Sequence, residues 1–402
     1  MTDTAPALAA RKPPAHDRLP SSTPYDHAVY VRIFEGCNLH CQHCFIPHNP
    51  KRMRMDDIAR IPDHLAGRVP AGARVRLQWH GGEPTLLGVR FLRDAIATLD
   101  NTEAPFAWSH GIQTNLMTYD PDWAALYHER FGAEVGVSWD PKIRLLNRHA
   151  TDSNARFNAR FDANLARLVD DGLVPYLVVT ATKTLFKAFP NPFDFFEHWR
   201  QRGVRHVHLE RVTPTGYART NWDFVGLSNR EYADWMSRWA RAYRAYKATC
   251  DDPAALFLSP FDMLSESVAS LLSGAPQAAG CWSGVCDTRF HTIDATGYKR
   301  GCTALTSEDD NRASNHRPDY GPDLRATRAK RRMRTFDCAR CPFKSICSSG
   351  CLALDFDDGS GACSGGYDLF RTLAEISDHP AAGPISPEPP EIGPPARARS
   401  PE

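Results

Sequence analysis

The cysteines of this 402-residue chain are not scattered: three stand as CxxxCxxC at Cys37, Cys41 and Cys44, and eight more fall between Cys281 and Cys363, leaving only Cys250 apart. Thiolates at such spacings bind metal, and metal binding folds segments that are otherwise poor in core residues. These positions therefore constrain the fold more than any single hydrophobic run. The first triad follows a strand-like stretch, residues 28–34. Three thiolates leave one iron of a cubane [4Fe-4S] cluster without a protein ligand, whereas a structural cluster or a zinc site is closed by a fourth cysteine or histidine. The neighbours His40, His43 and His48 complete no common zinc pattern.

A hydrophobic content of 42% marks a globular chain, long enough for one large domain and a smaller one. With 48 basic and 47 acidic residues the net charge is +1, which sets up no bulk field for a polyanion; neither nucleic acid nor membrane is expected as a partner. No apolar run is long enough to span a bilayer, and the first ten residues lack the basic start and apolar centre of a secretory signal. A cytoplasmic location is expected, where closely spaced cysteines are metal or redox sites rather than disulfides.

Residues 1–25 are rich in Pro and Ala and residues 379–402 in Pro, and both are expected to be disordered tails. Between them, apolar runs alternate with amphipathic stretches, the pattern of parallel β/α units. Strands are expected near 28–35, 73–80, 106–114, 134–139, 174–181 and 204–210, with a helix over 154–171 whose apolar positions Phe157, Phe161, Leu165 and Leu168 recur every three or four residues. Six units predict an α/β fold, a partial (β/α)6 TIM-like barrel over 26–250 followed by a small cysteine-rich domain over 251–378. Periodicity alone does not separate such a barrel from a doubly wound open sheet. In either, ligands gather at the carboxyl ends of strands. Cys37, the turn Gly81–Pro84, Thr114 with Asn115, Ser138 with Asp140, and Glu210 all fall there. In the turn, two glycines allow close backbone approach to a ligand, and Glu83 offers a carboxylate to an ammonium group.

CxxxCxxC followed after the next strand by Gly81, Gly82, Glu83 and Pro84 resembles the radical SAM superfamily. The resemblance implies that Cys37, Cys41 and Cys44 hold a [4Fe-4S] cluster whose open iron chelates S-adenosylmethionine. Reductive cleavage then releases a 5′-deoxyadenosyl radical that abstracts a hydrogen from the substrate. It also implies that Gly81 to Pro84 bind the methionyl amine, that His43 lies against the adenine, and that Ser138 and Asp140 contact ribose or carboxylate. A solvated histidine and a plain Asp140–Pro141 turn remain the ordinary alternatives. The later cysteines, running Cys286, Gly297, Cys302 and then CxxCxxxxxCxxxC to Cys363, resemble the SPASM extension of that family. By resemblance Cys281, Cys286, Cys302 and Cys351 hold one auxiliary [4Fe-4S] cluster, and Cys338, Cys341, Cys347 and Cys363 a second, making three clusters in all. Zinc ribbons are the alternative for such spacings. Cys250 reads as a small buried hydrophobe.

SPASM proteins mostly modify polypeptides, so a ribosomally made precursor peptide is the expected substrate, with a flavodoxin or ferredoxin as reductant. Sulfatase maturases of the family carry an aspartate directly after the cysteine equivalent to Cys302, where Thr303 stands here. His80 before the turn, and the segment Leu209–Gly216, resemble maturases that join an aromatic ring to a nearby side-chain carbon as a cyclophane. A base must then remove the ring proton, and Glu210 and Asp140 are the candidates, an arginine-paired or capping carboxylate being the ordinary fate of either. Oxidation of Cys or Ser to formylglycine and thioether crosslinking remain the alternatives. From another class comes a non-catalytic zinc or iron-sulfur regulatory protein. With about 25 residues before the first strand, a separate leader-binding protein or the barrel mouth is expected to grip the peptide. The basic run from Arg328 to Arg334 reads as a solvated face.

Overall fold

The computed structural model of the protein describes residues 24–46, 51–252, 256–286, 288–305, 329, 331–334 and 337–378. The expected tails thus lie almost wholly outside the described residues, as do His48, Arg328 and Lys330. Six strands, β1 (His27–Phe34), β2 (Arg74–Gly81), β3 (Ala107–Thr114), β4 (Glu134–Ser138), β5 (Val174–Ala181) and β6 (His206–Arg211), pair in parallel and in chain order. Helices connect them, among them Val89–Asp100, Pro121–Arg130 and Ser153–Asp170. The fold is α/β with a parallel sheet, and its strands start and end within a residue or two of the sequence expectation.

Both edges of the sheet extend beyond the six expected strands. After the helix Asn229–Thr249, β7 (Phe257–Ser259) adds in parallel to β6. At the other edge β8 (Phe290–Asp294) runs parallel to β1, and β9 (Gly297–Arg300) returns antiparallel to β8. The order is β7-β6-β5-β4-β3-β2-β1-β8-β9. A three-residue strand has no readable alternation, and the hairpin is hidden in the interval between Cys286 and Cys302. Gly297, part of that spacing, stands at φ +116°, a conformation L side chains rarely adopt, at the tight β8–β9 turn.

Strand alternation separates two environments. On β2, Val75, Leu77 and Trp79 are fully buried in the core, while Arg76, Gln78 and His80 form the opposite row. That row continues on β6 through His206, His208 and Glu210. The concave side of the sheet is therefore polar. Helices seal the other side with stacked aromatics such as Phe186 on Trp235, and Phe195 and Phe196 against Trp239. The long helix Asn229–Thr249 opens with a capping box of Ser228 and Glu231 and buries Tyr232, Met236, Trp239 and Tyr243. Among the described residues no helix is long and apolar enough to cross a membrane.

Candidate active site and metal centres

The loop after β1 carries Cys37, Cys41 and Cys44, none in a disulfide. Backbone bonds anchor it from outside, among them His40 N to Leu145 O (2.7 Å), Gln42 N to Ile143 O (3.0 Å) and Tyr217 N to Cys44 O (2.8 Å). Cys37 Sγ accepts from Leu39 N at 3.4 Å, and Asn115 Nδ2 approaches it at 3.8 Å while donating to Asn38 Oδ1 at 2.8 Å. Arg144 Nη1 reaches Cys41 Sγ at 3.8 Å. Burial raises all three thiols, Cys37 to about 12 and Cys41 further, against the opposing pull of Arg144. Buried thiols that are costly to ionise, yet face N–H donors and one another, match the needs of a site where iron supplies the missing positive charge. Among the described residues no three His, Cys, Asp or Glu side chains converge on a point fit for a single ion.

The turn after β2 packs onto this loop. Gly82 N donates to Phe34 O (2.9 Å) and Glu83 N to Gly36 O (3.0 Å). Gly81 has φ +141°, and a Cβ there would lie 2.0 Å from Phe34 O; one on Gly82 would lie 2.4 Å from Gly36 O. The glycines thus serve a close approach to the exit of β1. The fully buried Glu83 carboxylate accepts from Thr85 N (3.0 Å), Thr85 Oγ1 (2.7 Å), Thr114 Oγ1 (2.8 Å) and Asn115 N (2.7 Å). Three of these donors meet Oε1 and Asn115 N meets Oε2, so Glu83 ties the turn to the end of β3. Pro84 is buried at the start of the 3-10 turn Pro84–Leu87.

At the end of β4, Ser138 Oγ accepts from Gln113 Nε2 at 2.7 Å. Asp140 is fully buried; its Oδ2 accepts from Arg144 Nε (2.8 Å) and Nη2 (2.7 Å), and its Oδ1 from Thr180 N (2.6 Å). His43 Nε2 lies 3.3 Å from the same Oδ2. Burial lowers His43 to about 4 despite Asp140, so the ring is neutral with its proton on Nε2, and Nδ1 has no protein partner. Asp140 is therefore an arginine-paired clamp on the cysteine loop. Arg144, which links it to Cys41, was not singled out from sequence; its only local trace is the four-residue spacing from Asp140.

Glu210 points into the lumen, its side chain about half exposed (52%), with His208 Nε2 3.4 Å from Oε2. His208 Nδ1 in turn meets Ser259 Oγ at 3.0 Å. Burial raises the Glu210 carboxyl, but His208 and His80 outweigh it and hold the group below its ordinary value. His80, lowered to about 4 by burial and by Arg32, leaves a buried Nδ1 without a partner and packs between Tyr30 and Phe45. Tyr30 lies in the electrostatic reach of both Glu210 and Cys302.

The remaining thiols gather as two fours. Cys281 lies within electrostatic reach of Cys351, Cys302 and Cys286, and Cys302 within that of Cys286 and Cys351. Cys338, Cys341, Cys347 and Cys363 line one pocket with Phe343, Phe356 and Phe370. Burial pushes Cys338 and Cys347 up to about 12. Both fours are free thiols, a donor set suited to soft metal. Cys250 stays out of them, donating to Tyr246 O at 3.4 Å. The basic run is not a solvated face throughout: Arg331 donates to Gly284 O (2.7 Å) and reaches Cys286 Sγ (3.6 Å), and buried Arg334 donates to the carbonyls of Ser349, Cys351 and Leu354. Carbonyls of cysteine loops, absent from any local pattern, turn these arginines inward. Only Arg332 among the described basic residues of the run is exposed.

Residues 31–140 match the radical SAM superfamily. Over 362 residues the chain is 22% identical to the serine-type anaerobic sulfatase-maturating enzyme of Klebsiella aerogenes, spanning 87% of this chain and 85% of that relative. The structure resembles native anSMEcpe with bound AdoMet and Cp18Cys peptide, with a TM-score of 0.59 at 13% identity over 87% of this chain and 95% of the other. It also resembles Streptococcus suis SuiB bound to precursor peptide SuiA, with a TM-score of 0.54 at 15% identity over 82% and 72%. At these identities the structural likeness is one of fold.

Proposed function

We propose that this chain, which carries a radical SAM domain, is an enzyme that modifies a ribosomally made precursor peptide, installing a crosslink between an aromatic ring and a nearby side-chain carbon. The observation that carries the reading is a three-thiol loop at the carboxyl end of β1, in a chain whose eight later free thiols fall into two fours. Cys37, Cys41 and Cys44 would hold the first [4Fe-4S] cluster. The two fours would hold auxiliary clusters, and the Gly81–Pro84 turn, Ser138 and His43 would border S-adenosylmethionine. When bound, these groups supply a 5′-deoxyadenosyl radical and sites for electrons. Arg144 and Asn115 direct N–H groups at the thiolates, and Asp140 fixes the His43 tautomer. Crosslinking removes two hydrogens from the peptide; Glu210, oriented by His208, is the lumen carboxylate free to take the one that leaves as a proton. A flavodoxin or ferredoxin would deliver electrons. The leader would be held by a separate protein or by the barrel mouth, in a reducing, cytoplasmic setting.

Similarity over most of the chain to a sulfatase-maturating enzyme favours a second reading, oxidation of Cys or Ser to formylglycine. Thr303 weighs against it: no carboxylate follows Cys302, and the Thr303 carbonyl is held by Arg32 Nη2 at 3.1 Å. Mass spectrometry of a co-expressed precursor peptide tests the two. A crosslink is expected to remove two hydrogens, to join two residues in the fragment spectrum, and to leave no aldehyde. A product that reacts with an aminooxy probe would replace this reading with formylglycine formation, and a sulfur-to-carbon link would replace it with a thioether.

A further inference from the structure

Neighbouring residues on a strand face opposite ways. On β6, Glu210 turns into the lumen, and Arg211 turns towards the cysteine-rich region. There Arg211 Nη1 donates to Ser364 O at 3.1 Å, Nη2 donates to Asn229 Oδ1 at 2.6 Å, and the guanidinium lies 4.1 Å from the centre of the Tyr232 ring. Ser364 follows Cys363, and its carbonyl presses on Gly350, where a Cβ would come within 2.6 Å. Gly350 precedes Cys351. The Cys351 loop of one four and the Cys363 loop of the other therefore touch at this spot, with Arg211 hydrogen-bonded to it. Both thiols are within electrostatic reach of Arg211, as are Tyr232 and Asp358, the acid that accepts from Asn229 N at 2.7 Å. Arg331 reaches Cys286 of the first four at 3.6 Å.

We propose that Arg211 is a positioning residue that raises the reduction potential of both auxiliary centres together, on the reading that the two fours hold [4Fe-4S] clusters. After hydrogen abstraction the substrate radical must lose one electron and one proton to give the modified peptide. The proton goes to Glu210, and the electron to the oxidised auxiliary centre beside it, which gains one unit of negative charge. A guanidinium that stays protonated, half-buried at the seam of the two fours, stabilises that added charge far more than a solvated cation would. Consecutive residues of one strand would thus serve the two particles, Glu210 the proton and Arg211 the electron.

The test is an anaerobic redox titration of the full-length holoenzyme followed by electron paramagnetic resonance, with iron and sulfide counts. In Arg211→Gln both auxiliary midpoints are expected to move down while the amino-terminal centre stays put. In Arg211→Lys they are expected to stay near wild type, and Arg331→Gln is expected to lower only one. Unchanged auxiliary midpoints in fully loaded Arg211→Gln, an equal shift of all three centres, or a Lys variant that behaves like Gln would overturn the proposal. Loss of auxiliary iron in both Arg211 variants would also overturn it, assigning Arg211 a structural role. Wild-type protein without auxiliary iron would instead sink the reading on which the proposal rests.

Discussion

Glu83 shows how one buried side chain can brace a turn. Its oxygens take two backbone N–H groups and two hydroxyls from Thr85, Thr114 and Asn115, and removing an acceptor strands buried donors at about 1–3 kcal/mol each. Glu83→Ala is expected to lose at least ~2 kcal/mol of stability in urea denaturation, and Glu83→Gln less; equal stability of all three proteins would refute the bracing role. The motif was legible in sequence, but the donors from the end of β3 lie some thirty residues on, so the bracing role shows only once the fold is known. Arg144 and Arg211 were hidden for the same reason. His198 carries a cleaner pH signature, being remote from the thiols. It packs against Trp139, Phe189 and Trp199, and burial, then Arg202, lowers it from 6.5 to about 4. Above pH 6.5 it is neutral folded and unfolded; between 6.5 and 4 only the unfolded chain takes the proton. Stability should therefore fall as pH drops through that window. Denaturation at pH 7 and pH 5 is expected to show a smaller acid loss in His198→Gln than in wild type, and equal losses would contradict the assignment.

Among the elements, β1 joins the two halves of the chemistry. It pairs with β2 on one side and β8 on the other, and its fully buried Arg32 holds the Thr303 carbonyl and faces Glu35 at 3.6 Å. Taking away one member of a buried pair costs ~3–5 kcal/mol because the other charge is left without compensation. Arg32→Met is expected to lose stability on that scale and Arg32→Met with Glu35→Leu to recover part of it, in equilibrium denaturation. Equal losses in the single and double variants would show that the ion pair is not the cause. Gly81→Ala should fail differently: the added Cβ meets the Phe34 carbonyl, so the β2 turn must shift and S-adenosylmethionine affinity should drop at least tenfold by calorimetry on the reconstituted protein, whereas wild-type affinity would show the turn to be tolerant. The six long strands were readable because their apolar residues repeat over enough positions to show a pattern. The short β7 and the β8–β9 hairpin were not; tertiary pairing to existing edges, rather than local propensity, makes them strands.

At the scale of the whole molecule, the cysteine spacing was the most legible feature, since the thiols of each four lie close in sequence except where Cys351 crosses to the first four. The sheet continues from barrel strands into β8 and β9, while the segments beyond depend on two thiol nests for much of their order. Removing iron by chelation is expected to strip hydrogen-exchange protection from residues 338–366 and leave β2 to β5 protected, and uniform loss would contradict this division. The most direct measurement is made on anaerobically purified protein given dithionite and S-adenosylmethionine. Iron and sulfide for three clusters, with 5′-deoxyadenosine formed by wild type and abolished in Cys41→Ala while auxiliary iron persists, are expected. Colourless protein holding zinc and yielding no 5′-deoxyadenosine would contradict the three-thiolate centre and favour a non-catalytic metal protein.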